Sequence, residues 1–520
     1  MTTAEVVDRQ NFGEGVVLLP GGRPVGDAGA MSVPTKQPLP DGIVAVVKKD
    51  CPTCVLVGPV LGELADRGVS LSVFSQDDPS FPLGDETIDD TSLEVSWFHD
   101  IETVPTLIRV EDGAERERTV GWSRPAWESL TGQASLGSEL PEQRPGCGSL
   151  SVDPSHVDEL TVRFTGSTLH GRRVELAALE DEMEAAFDRG WSDGLPVTPP
   201  TEARVLRMLE GTTRDPQEPV AVVPPDLVEV TVEQVAVNAV MAGCKPEYLP
   251  VVLAAVEAAC TDDFNMHGLL ATTFFSGPIV VVNGPITERI GMNSGNNVLG
   301  QGNRANMTIG RALQLVVRNL GGGRPDGPRG APGVDMALMG TPSKLGLSFA
   351  EREHDSPFEP LATARGLAPG TDAVTVFAGQ GPTPIADQLS RNPESLARSF
   401  AATLRTVWHT KLVMGFDAML VVGPEHGRIL REAGWDRARL QAELDELLLI
   451  EADEIVQGAG GIAEGVPAAF AGASLPKFRP DGLQLVHAGG DAGLFSAVLG
   501  GWVGGPKGSV PVTMAITDVA

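Results

Sequence analysis

Short apolar runs alternate with longer amphipathic segments along most of this chain, and the alternation changes character at three places. From 161 to 520, apolar strands alternate with long helices, which is typical of an α/β domain of one or two subdomains. In 40–132 strand, helix and turn signals follow one another quickly. Residues 1–39 are rich in Gly and Pro and predict an N-terminal arm, and 133–160 carry Gly, Ser, Pro and acids without periodicity, as a linker does. The pattern predicts a small and a large α/β domain joined by a flexible chain.

The small domain contains a pair of closely spaced cysteines. The β-branched run 42–48 predicts a central strand, and Cys51-Pro-Thr-Cys54 follows it, leading into a segment with helical spacing. A cysteine at a helix N-terminus feels free N–H groups and the helix dipole, so its thiolate is favoured. Cys54, one turn further on, is then placed to resolve a mixed disulfide. The spacing predicts Cys51 as the attacking thiol and Cys54 as the resolving one.

Residues 40–132 resemble a thioredoxin-fold domain. The resemblance covers the CxxC motif, Pro59 five residues after Cys54, and Val-Pro-Thr at 104–106 before a predicted hairpin. It implies that Pro105 is a cis-proline opposite a redox-active Cys51–Cys54 disulfide, and that Val104 offers its backbone to a bound thiol partner. The alternative, a thioredoxin-like fold kept only as a docking module, is less favoured because both cysteines are present.

Four apolar runs of the large domain share one design: each passes into a polar, glycine-rich loop, and the runs are 279–282, 374–377, 419–422 and 483–486. In α/β sheets, ligands bind at the carboxyl ends of the strands. The loops therefore predict one shared site, with Glu425, His426, His487 and Asp491 as catalytic candidates and Asn283 and Gln380 as substrate-binding candidates. The alternative is that these residues only turn the chain and cap helices.

A further glycine- and asparagine-rich loop, 293–303, leads into an amphipathic helix that starts at Arg304. Backbone N–H groups at such a junction can hold a phosphate or carboxylate. Asn303 and Arg304 are therefore candidate ligands for a small anionic substrate, with plain architecture as the alternative. Neither GxxxxGK[ST] nor GxGxxG occurs, so nucleotide binding is not supported.

Two cysteines outside the CxxC motif are candidates for thiol chemistry. Pro246 predicts the first turn of a helix, which places Cys244 near its N-cap beside Lys245, where a thiolate is favoured. Glu247 and Tyr248 fall in the same turn and are candidate substrate-binding residues. The alternative is that Cys244 is a small buried side chain.

Cys147 lies within the predicted linker, in the sequence Pro-Gly-Cys-Gly-Ser. A flexible linker would let this thiol travel as a shuttle between sites, but the favoured interpretation is that it is merely exposed.

The amino-acid composition excludes some classes of binding partner. The chain has 520 residues, 69 acidic against 39 basic side chains and a formal charge of −30, which argues against nucleic acid and anionic membranes. No apolar run approaches a membrane span and no export signal is visible, so a cytoplasmic location is expected. There, the five cysteines are expected to be redox-active, catalytic or buried rather than in structural disulfides. The eight histidines show no ligand spacing, so a metal ion is unsupported, and no cofactor is predicted beyond the Cys51–Cys54 disulfide.

Together these features predict a thiol-dependent redox enzyme, in which the CxxC domain serves a fused small-molecule-binding catalytic domain. Its partners would be a small anionic substrate and an external thiol or disulfide reductase, and assembly into a homo-oligomer stays open. One alternative is a carbon–heteroatom lyase or sulfur-transfer enzyme that uses a cysteine thiolate. Another is a non-catalytic factor for thiol-dependent folding or assembly.

Overall fold

A computed structural model describes residues 16–18, 35–165, 169–177, 180–325, 333–458, 464–517 and 519. The chain forms two compact units: a smaller unit, Asp27–Thr168, and a larger unit, Met1–Gly26 with Leu169–Ala520. Helices and strands occur in both, so the α/β class predicted from the sequence is confirmed at that level. Among the described helices, none is long and apolar enough to cross a membrane.

The described strands, in chain order, are β1 (Val16–Leu18), β2 (Gly42–Val47), β3 (Leu71–Ser75), β4 (Thr87–Asp89), β5 (Thr103–Val104), β6 (Thr106–Glu111), β7 (Ala114–Val120), β8 (Trp122–Ser123), β9 (Gln143–Arg144), β10 (Cys147–Gly148), β11 (Arg173–Glu175), β12 (Pro219–Val223), β13 (Val228–Thr231), β14 (Gly277–Asn283), β15 (Leu347–Ala350), β16 (Ala373–Ala386), β17 (Phe416–Val422), β18 (Leu449–Glu451), β19 (Ser474–Pro476), β20 (Leu483–His487), β21 (Phe495–Val503) and β22 (Val512–Ala515). The described α-helices are α1 (Pro52–Asp66), α2 (Glu94–Phe98), α3 (Arg124–Thr131), α4 (Val157–Thr165), α5 (Glu182–Asp188), α6 (Glu202–Leu209), α7 (Val232–Ala242), α8 (Leu249–Ala259), α9 (Met266–Ala271), α10 (Ile286–Arg289), α11 (Arg304–Asn319), α12 (Ser343–Gly346), α13 (Leu361–Ala364), α14 (Pro393–Leu404), α15 (Pro424–Glu432), α16 (Arg437–Leu447) and α17 (Ala452–Ile455).

The smaller unit is built on a five-stranded sheet in the order β4-β3-β2-β6-β7. Strands β2, β3 and β4 are parallel, and β6 and β7 run antiparallel to their neighbours. The central strand β2 buries five of its six residues, as its continuous β-branched run predicts. Helix α1 follows it, with Pro52 in the first turn, and buries Val57, Leu61 and Leu64 in the same core.

The prediction that 133–160 is a flexible linker is wrong, because these residues belong to the smaller unit. Strand β9 pairs with β8, β10 pairs with β5, and Leu136 is fully buried in the core. Helix α4 then packs Leu160 and Phe164 beside Leu93. The boundaries at 132 and 161 are wrong for the same reason. Gly, Ser and Pro here supply tight turns and close backbone approaches, which produce no hydrophobic periodicity.

The described residues of the predicted N-terminal arm, 1–39, do not form a single structural element. Residues 1–15 and 19–34 lie outside the described part. Strand β1 pairs with β11 of the larger unit, and Leu39 is buried in the core of the smaller unit.

The larger unit contains a seven-stranded mixed sheet in the order β15-β14-β16-β21-β17-β20, with β22 also paired to β16. The pairs β14–β15 and β17–β20 are parallel and the others antiparallel. The prediction that the run 374–377 ends in a loop is wrong. Strand β16 continues to Ala386 through a register shift between Gly379 and Pro382, so Gln380 lies within a strand. A bulge at glycine lets the strand bend and continue.

This sheet curls until its two edge strands approach each other. The N–H of Arg352, two residues after β15, donates to the carbonyl oxygen of His487 at the end of β20 (2.8 Å). The inner face buries residues from six strands in one cluster, among them Ile279, Phe349, Phe377, Met419, Val486 and Leu499. The outer face is covered by two groups of helices, α7, α8 and α11 over β14 and β16, and α14 to α16 over β17 and β20.

The packing of α4 allows the linker prediction to be tested. Phe164 is buried, with its ring centroid 5.4 Å from that of Phe98 and 6.1 Å from that of Trp97. We expect Phe164→Ala to destabilise the docked helix by about 3 kcal/mol and to speed proteolysis within 150–165 by about 100-fold. The cleavage rate is measured on the full chain by mass spectrometry. Val152→Ala, which truncates an exposed side chain in the same region, is the control, and rapid cleavage of the wild type would restore the linker prediction.

Candidate functional site

The smaller unit places Cys51 at the start of α1 through a fixed loop. The two carboxylate oxygens of Asp77 accept the N–H groups of Lys49 (2.6 Å) and Asp50 (2.8 Å), which orders the turn before the helix. Cys51 is the N-cap residue, and its sulfur accepts the N–H of Cys54 (3.4 Å). The thiol sulfur therefore replaces the side-chain oxygen of a usual N-cap, in the place where the helix favours negative charge.

A third cysteine completes this site. Strand β10 pairs antiparallel with β5, and Cys147 lies opposite Val104. The sulfur of Cys51 is 2.8 Å from that of Cys147 and 3.6 Å from the carbonyl oxygen of Val104. The peptide between Val104 and Pro105 is cis. The prediction that Cys147 travels on a linker is wrong, because backbone pairing holds its thiol against Cys51.

Contacts on both sides of Cys147 hold it in place. The hydroxyl of Thr53 donates to the carbonyl oxygen of Pro145 (2.7 Å), and on the other side Gln76 donates to the hydroxyl of Ser149 (2.6 Å). The two backbones can approach closely at residue 146 because glycine has no side chain. A Cβ there would lie 2.7 Å from the oxygen of Val104. The site is thus a preorganised cluster of three thiols, Cys51, Cys54 and Cys147.

The three thiols differ in acidity. Burial alone would raise the pKa of Cys51, but the contact from Cys147 and the N–H of Cys54 outweigh it, and the net shift in its pKa is downward. Burial raises the pKa of Cys54, and burial together with the neighbouring Cys51 raises that of Cys147. Cys51 is therefore the thiol that ionises first.

The thiolate predicted at Cys244 is not supported. Cys244 follows Gly243, the left-handed C-cap of α7, and α8 begins only at Leu249 after a 3₁₀ turn, so Cys244 is not at the helix N-cap. Its thiol lies 3.5 Å from the carbonyl oxygen of Thr308, and burial raises its pKa to about 12. The predicted N-cap position is wrong, and α7, α8 and α11 bury this side chain in one core, which favours the alternative of a small buried side chain.

Tyr248 is buried in the same core as Cys244, while Glu247 is exposed. Asn303 and Arg304, where the loop before α11 meets the helix, form hydrogen bonds with backbone groups. Asn303 caps α11 by accepting the N–H of Asn306 (3.1 Å), and the guanidinium of Arg304 donates to the carbonyl oxygen of Gly243 (2.8 Å). These contacts support the local fold of the chain. That the substrate is an anion stays a prediction.

In the larger unit, a second polar cluster forms around the end of β14. The side-chain amide of Asn283 donates to Glu351 (2.6 Å) and to Glu353 (2.9 Å). Glu351 also accepts the N–H of Leu361 (2.7 Å). Among the described residues, Oδ1 of Asn283 and Oε1 of Glu351 are buried without a hydrogen-bond partner. Burial raises the pKa of Glu351 to about 7, from an ordinary value of 4.5.

His487 contacts the residue next to Glu351. Its Nδ1 lies 2.9 Å from the carbonyl oxygen of Arg352, so Nδ1 carries the proton and Nε2 has a free lone pair. Nε2 lies against Gly427 and is buried without a hydrogen-bond partner in the described part of the chain. Burial lowers the pKa of His487, which favours the neutral ring. The guanidinium of Arg352 pairs with Asp355 (2.6 Å) and with Asp491 (2.7 Å).

The structure therefore joins only some of the residues predicted to share a site. Strands β14 and β20 run in opposite directions, and the loop 351–355 contacts Asn283, His487 and Asp491, each through a different group. His426 faces elsewhere: its ring nitrogens lie 2.8 Å from the hydroxyl of Ser496 and 3.1 Å from the carbonyl oxygen of Asp387.

Among the described residues, neither Gln380 nor Glu425 forms a hydrogen bond with this cluster. Gln380 lies on β16 against Gly500, and Glu425 lies in the first turn of α15, where a carboxylate suits the helix dipole. No group of three or more His, Cys, Asp or Glu side chains in the described residues could hold a metal ion.

Sequence reasoning missed two members of these sites. Glu351 follows the apolar run Leu347–Ala350 as Asn283 follows its own strand, so the same strand-to-polar pattern could have found it. The partnership of Cys147 with Cys51 had only a weak signal, the glycines on both sides of Cys147 that permit close backbone approach.

The buried carboxyl group makes stability depend on pH. As the pH rises, the unfolded chain releases the proton of Glu351 before the folded chain does. Raising the pH from about 4.5 to about 7.5 therefore lowers the free energy of unfolding by on the order of 3 kcal/mol. We expect Glu351→Gln to remove this loss, measured by denaturant unfolding of the larger unit at several pH values. Glu229→Gln, at an exposed carboxylate, is the control, and an unchanged pH slope in Glu351→Gln would contradict the assignment.

The buried Cys244 thiol should resist alkylation. With its pKa at about 12, we expect iodoacetamide at pH 8 to label it at least about 100-fold more slowly in the native protein than in denaturant. Peptide mass spectrometry measures both rates. Fast labelling of Cys244 in the native protein would indicate that it is a reactive nucleophile.

Comparison with known proteins adds no relative: no family model, no curated protein and no solved structure matches this chain.

Proposed function

We propose that this protein is a thiol-dependent oxidoreductase, whose smaller unit carries out thiol–disulfide exchange with Cys51 as the attacking thiolate. The observation that carries the proposal is the position of the Cys51 sulfur at the N-cap of α1, where it accepts the N–H of Cys54. Thiolates, not thiols, attack disulfides, and an N-cap position stabilises the thiolate.

Two further observations support this function. The pKa of Cys51 is shifted downward although the side chain is buried, whereas the two neighbouring thiols are shifted upward. The carbonyl oxygen of Val104 lies 3.6 Å from the Cys51 sulfur, at the place where the resemblance to thioredoxin-fold domains implies backbone contact with a thiol partner. Both features are those that a thiol-exchange site needs.

We propose that the larger unit binds the small substrate that the thiol unit serves, at the cluster of Asn283, Glu351 and His487. Buried polar groups are normally satisfied, whereas Oδ1 of Asn283, Oε1 of Glu351 and Nε2 of His487 have no hydrogen-bond partner in the described structure, which favours a ligand site beside the loop 351–355. A neutral Glu351 can donate a proton and a neutral His487 can accept one. Because both units belong to one chain, the thiol pair acts at high effective concentration.

The sulfur-transfer alternative is less favoured, because it needs a reactive cysteine in the larger unit. Burial raises the pKa values of both Cys244 and Cys260 to about 12, so neither is a ready thiolate. Turnover without a reductant would favour a lyase. Proteins trapped in a mixed disulfide by Cys54→Ser would favour an assembly factor.

Exchange activity should depend on Cys51. We expect Cys51→Ser to lower the rate at which the full chain catalyses reduction of a peptide disulfide by dithiothreitol by at least about 100-fold, because the attacking thiolate is lost. The rate of the wild type should rise with an apparent pKa below 9, the ordinary cysteine value. The assay follows the peptide thiols released.

Cys260→Ser is the matched control, since it removes a thiol of the larger unit and leaves the thiol site intact. Full activity in Cys51→Ser would refute thiol exchange at this site, whatever the behaviour of the other cysteines.

A further inference from the structure

The attacking cysteine is covered by the chain itself. Cys51 is only 1% exposed, although an exchange site must reach an external thiol or disulfide. The covering segment, residues 143–149, crosses the site by pairing β10 with β5. Within it Cys147 is partly exposed and Gly148 is exposed, so the outer side of this segment meets solvent while its inner side contacts Cys51.

We propose that Cys51 and Cys147, rather than Cys51 and Cys54, form the working disulfide of this protein, and that external thiols and disulfides exchange at the sulfur of Cys147. The inference rests on the proposed thiol-exchange function and adds the identity of the second cysteine. Nothing in the CxxC spacing predicts it, because Cys147 lies 96 positions beyond Cys51.

Geometry favours this pair. Cys147 is paired through its backbone with Val104, which is where a thiol partner would bind, and its sulfur is 2.8 Å from that of Cys51. Thr53 and Gly146 hold the covering segment close to α1 and β5. The segment therefore presents Cys147 as a built-in partner, and the reaction needs little chain movement to begin.

Cys54 is less suited to this role. Its side chain is fully buried, so an external thiol or disulfide cannot reach its sulfur, whereas Cys147 is partly exposed. The N–H of Cys54 still stabilises the Cys51 thiolate, so this residue acts as a positioning residue through its backbone.

The exchange balances with two external thiols. A thiolate attacks the Cys147 sulfur of the Cys51–Cys147 disulfide, a mixed disulfide forms on Cys147, and the electron pair of the broken bond leaves on Cys51. The leaving thiolate is the one with the lowered pKa, which is the favourable direction. A second external thiolate then attacks the external sulfur of the mixed disulfide, which frees Cys147 as a thiolate that takes a proton from water. The sum is one protein disulfide reduced and one external disulfide formed. In the oxidative direction the Cys147 thiolate attacks the external disulfide and releases one external thiolate, and the Cys51 thiolate then attacks the Cys147 sulfur of the mixed disulfide and releases the other.

Disulfide mapping tests the pair directly. Trypsin releases Cys51 and Cys54 together in peptide 50–67 and Cys147 in peptide 119–163, so the two pairings differ as one peptide against two. The reduced full chain is treated with oxidised glutathione, quenched with alkylating agent at intervals and mapped without reduction. We expect the cross-linked peptide pair to form first in the wild type and to form equally fast in Cys54→Ser and in the control Cys260→Ser.

The outcomes separate the two proposals. A disulfide confined to peptide 50–67, with Cys147 alkylated throughout, overturns the inference while leaving thiol exchange at Cys51 intact. Cys51 free or glutathionylated, with no protein disulfide of either kind, overturns the inference and counts against the proposed function as well. Loss of the cross-link in Cys54→Ser would show that the Cys51–Cys147 disulfide does not form without Cys54, which overturns the inference.

A backbone variant tests the covering segment without removing any thiol. A Cβ at residue 146 would lie 2.4 Å from Cγ2 of Thr103 and 2.7 Å from the oxygen of Val104, so Gly146→Ala must push the segment away. We expect the Cys51–Cys147 cross-link to form at least about tenfold more slowly and Cys51 to be alkylated faster. Gly148→Ala, where a Cβ meets open space, is the matched control. An unchanged rate in Gly146→Ala would contradict the role of backbone pairing.

Discussion

The thiol site depends on a single backbone pairing, that of Cys147 with Val104. This pairing brings a residue 96 positions away onto the sulfur of Cys51 and covers it from solvent. It is possible only because Gly146 lacks a side chain where the two backbones meet. Cys51 gains a contact that offsets the cost of burying a thiolate, so the same pairing both hides the nucleophile and lowers its pKa.

In the larger unit a comparable constraint is the closure of a curled sheet. Strands β14 and β20 point in opposite directions, and a flat sheet of this order would hold Asn283 and His487 far apart. The curl lets the loop after β15 contact both, through the side chain of Glu351 and the backbone of Arg352. Closure also removes the carboxyl group of Glu351 from water, which raises its pKa to about 7.

The local features of the chain were readable in advance. The run 42–48 does form a central strand, the CxxC motif does begin a helix, and three of the four apolar runs of the larger unit end where their glycines indicate. Errors came where one composition fits two structures. Gly, Ser and Pro in 133–160 indicate a linker as readily as a tightly bonded covering segment, and Pro246 begins a 3₁₀ turn rather than the helix itself.

By itself the sequence determined the α/β class, several of the strands and the position of Cys51 at a helix start, because these depend on hydrophobic periodicity and on capping within a few residues. Only the tertiary structure decided which side chains meet. The pairing of Cys147 with Val104, the burial of Cys244 among three helices and the contact of Asn283 with Glu351 all join distant segments. Burial and long-range contact set the acidity of a thiol or carboxyl group, and neither can be read from its neighbours along the chain.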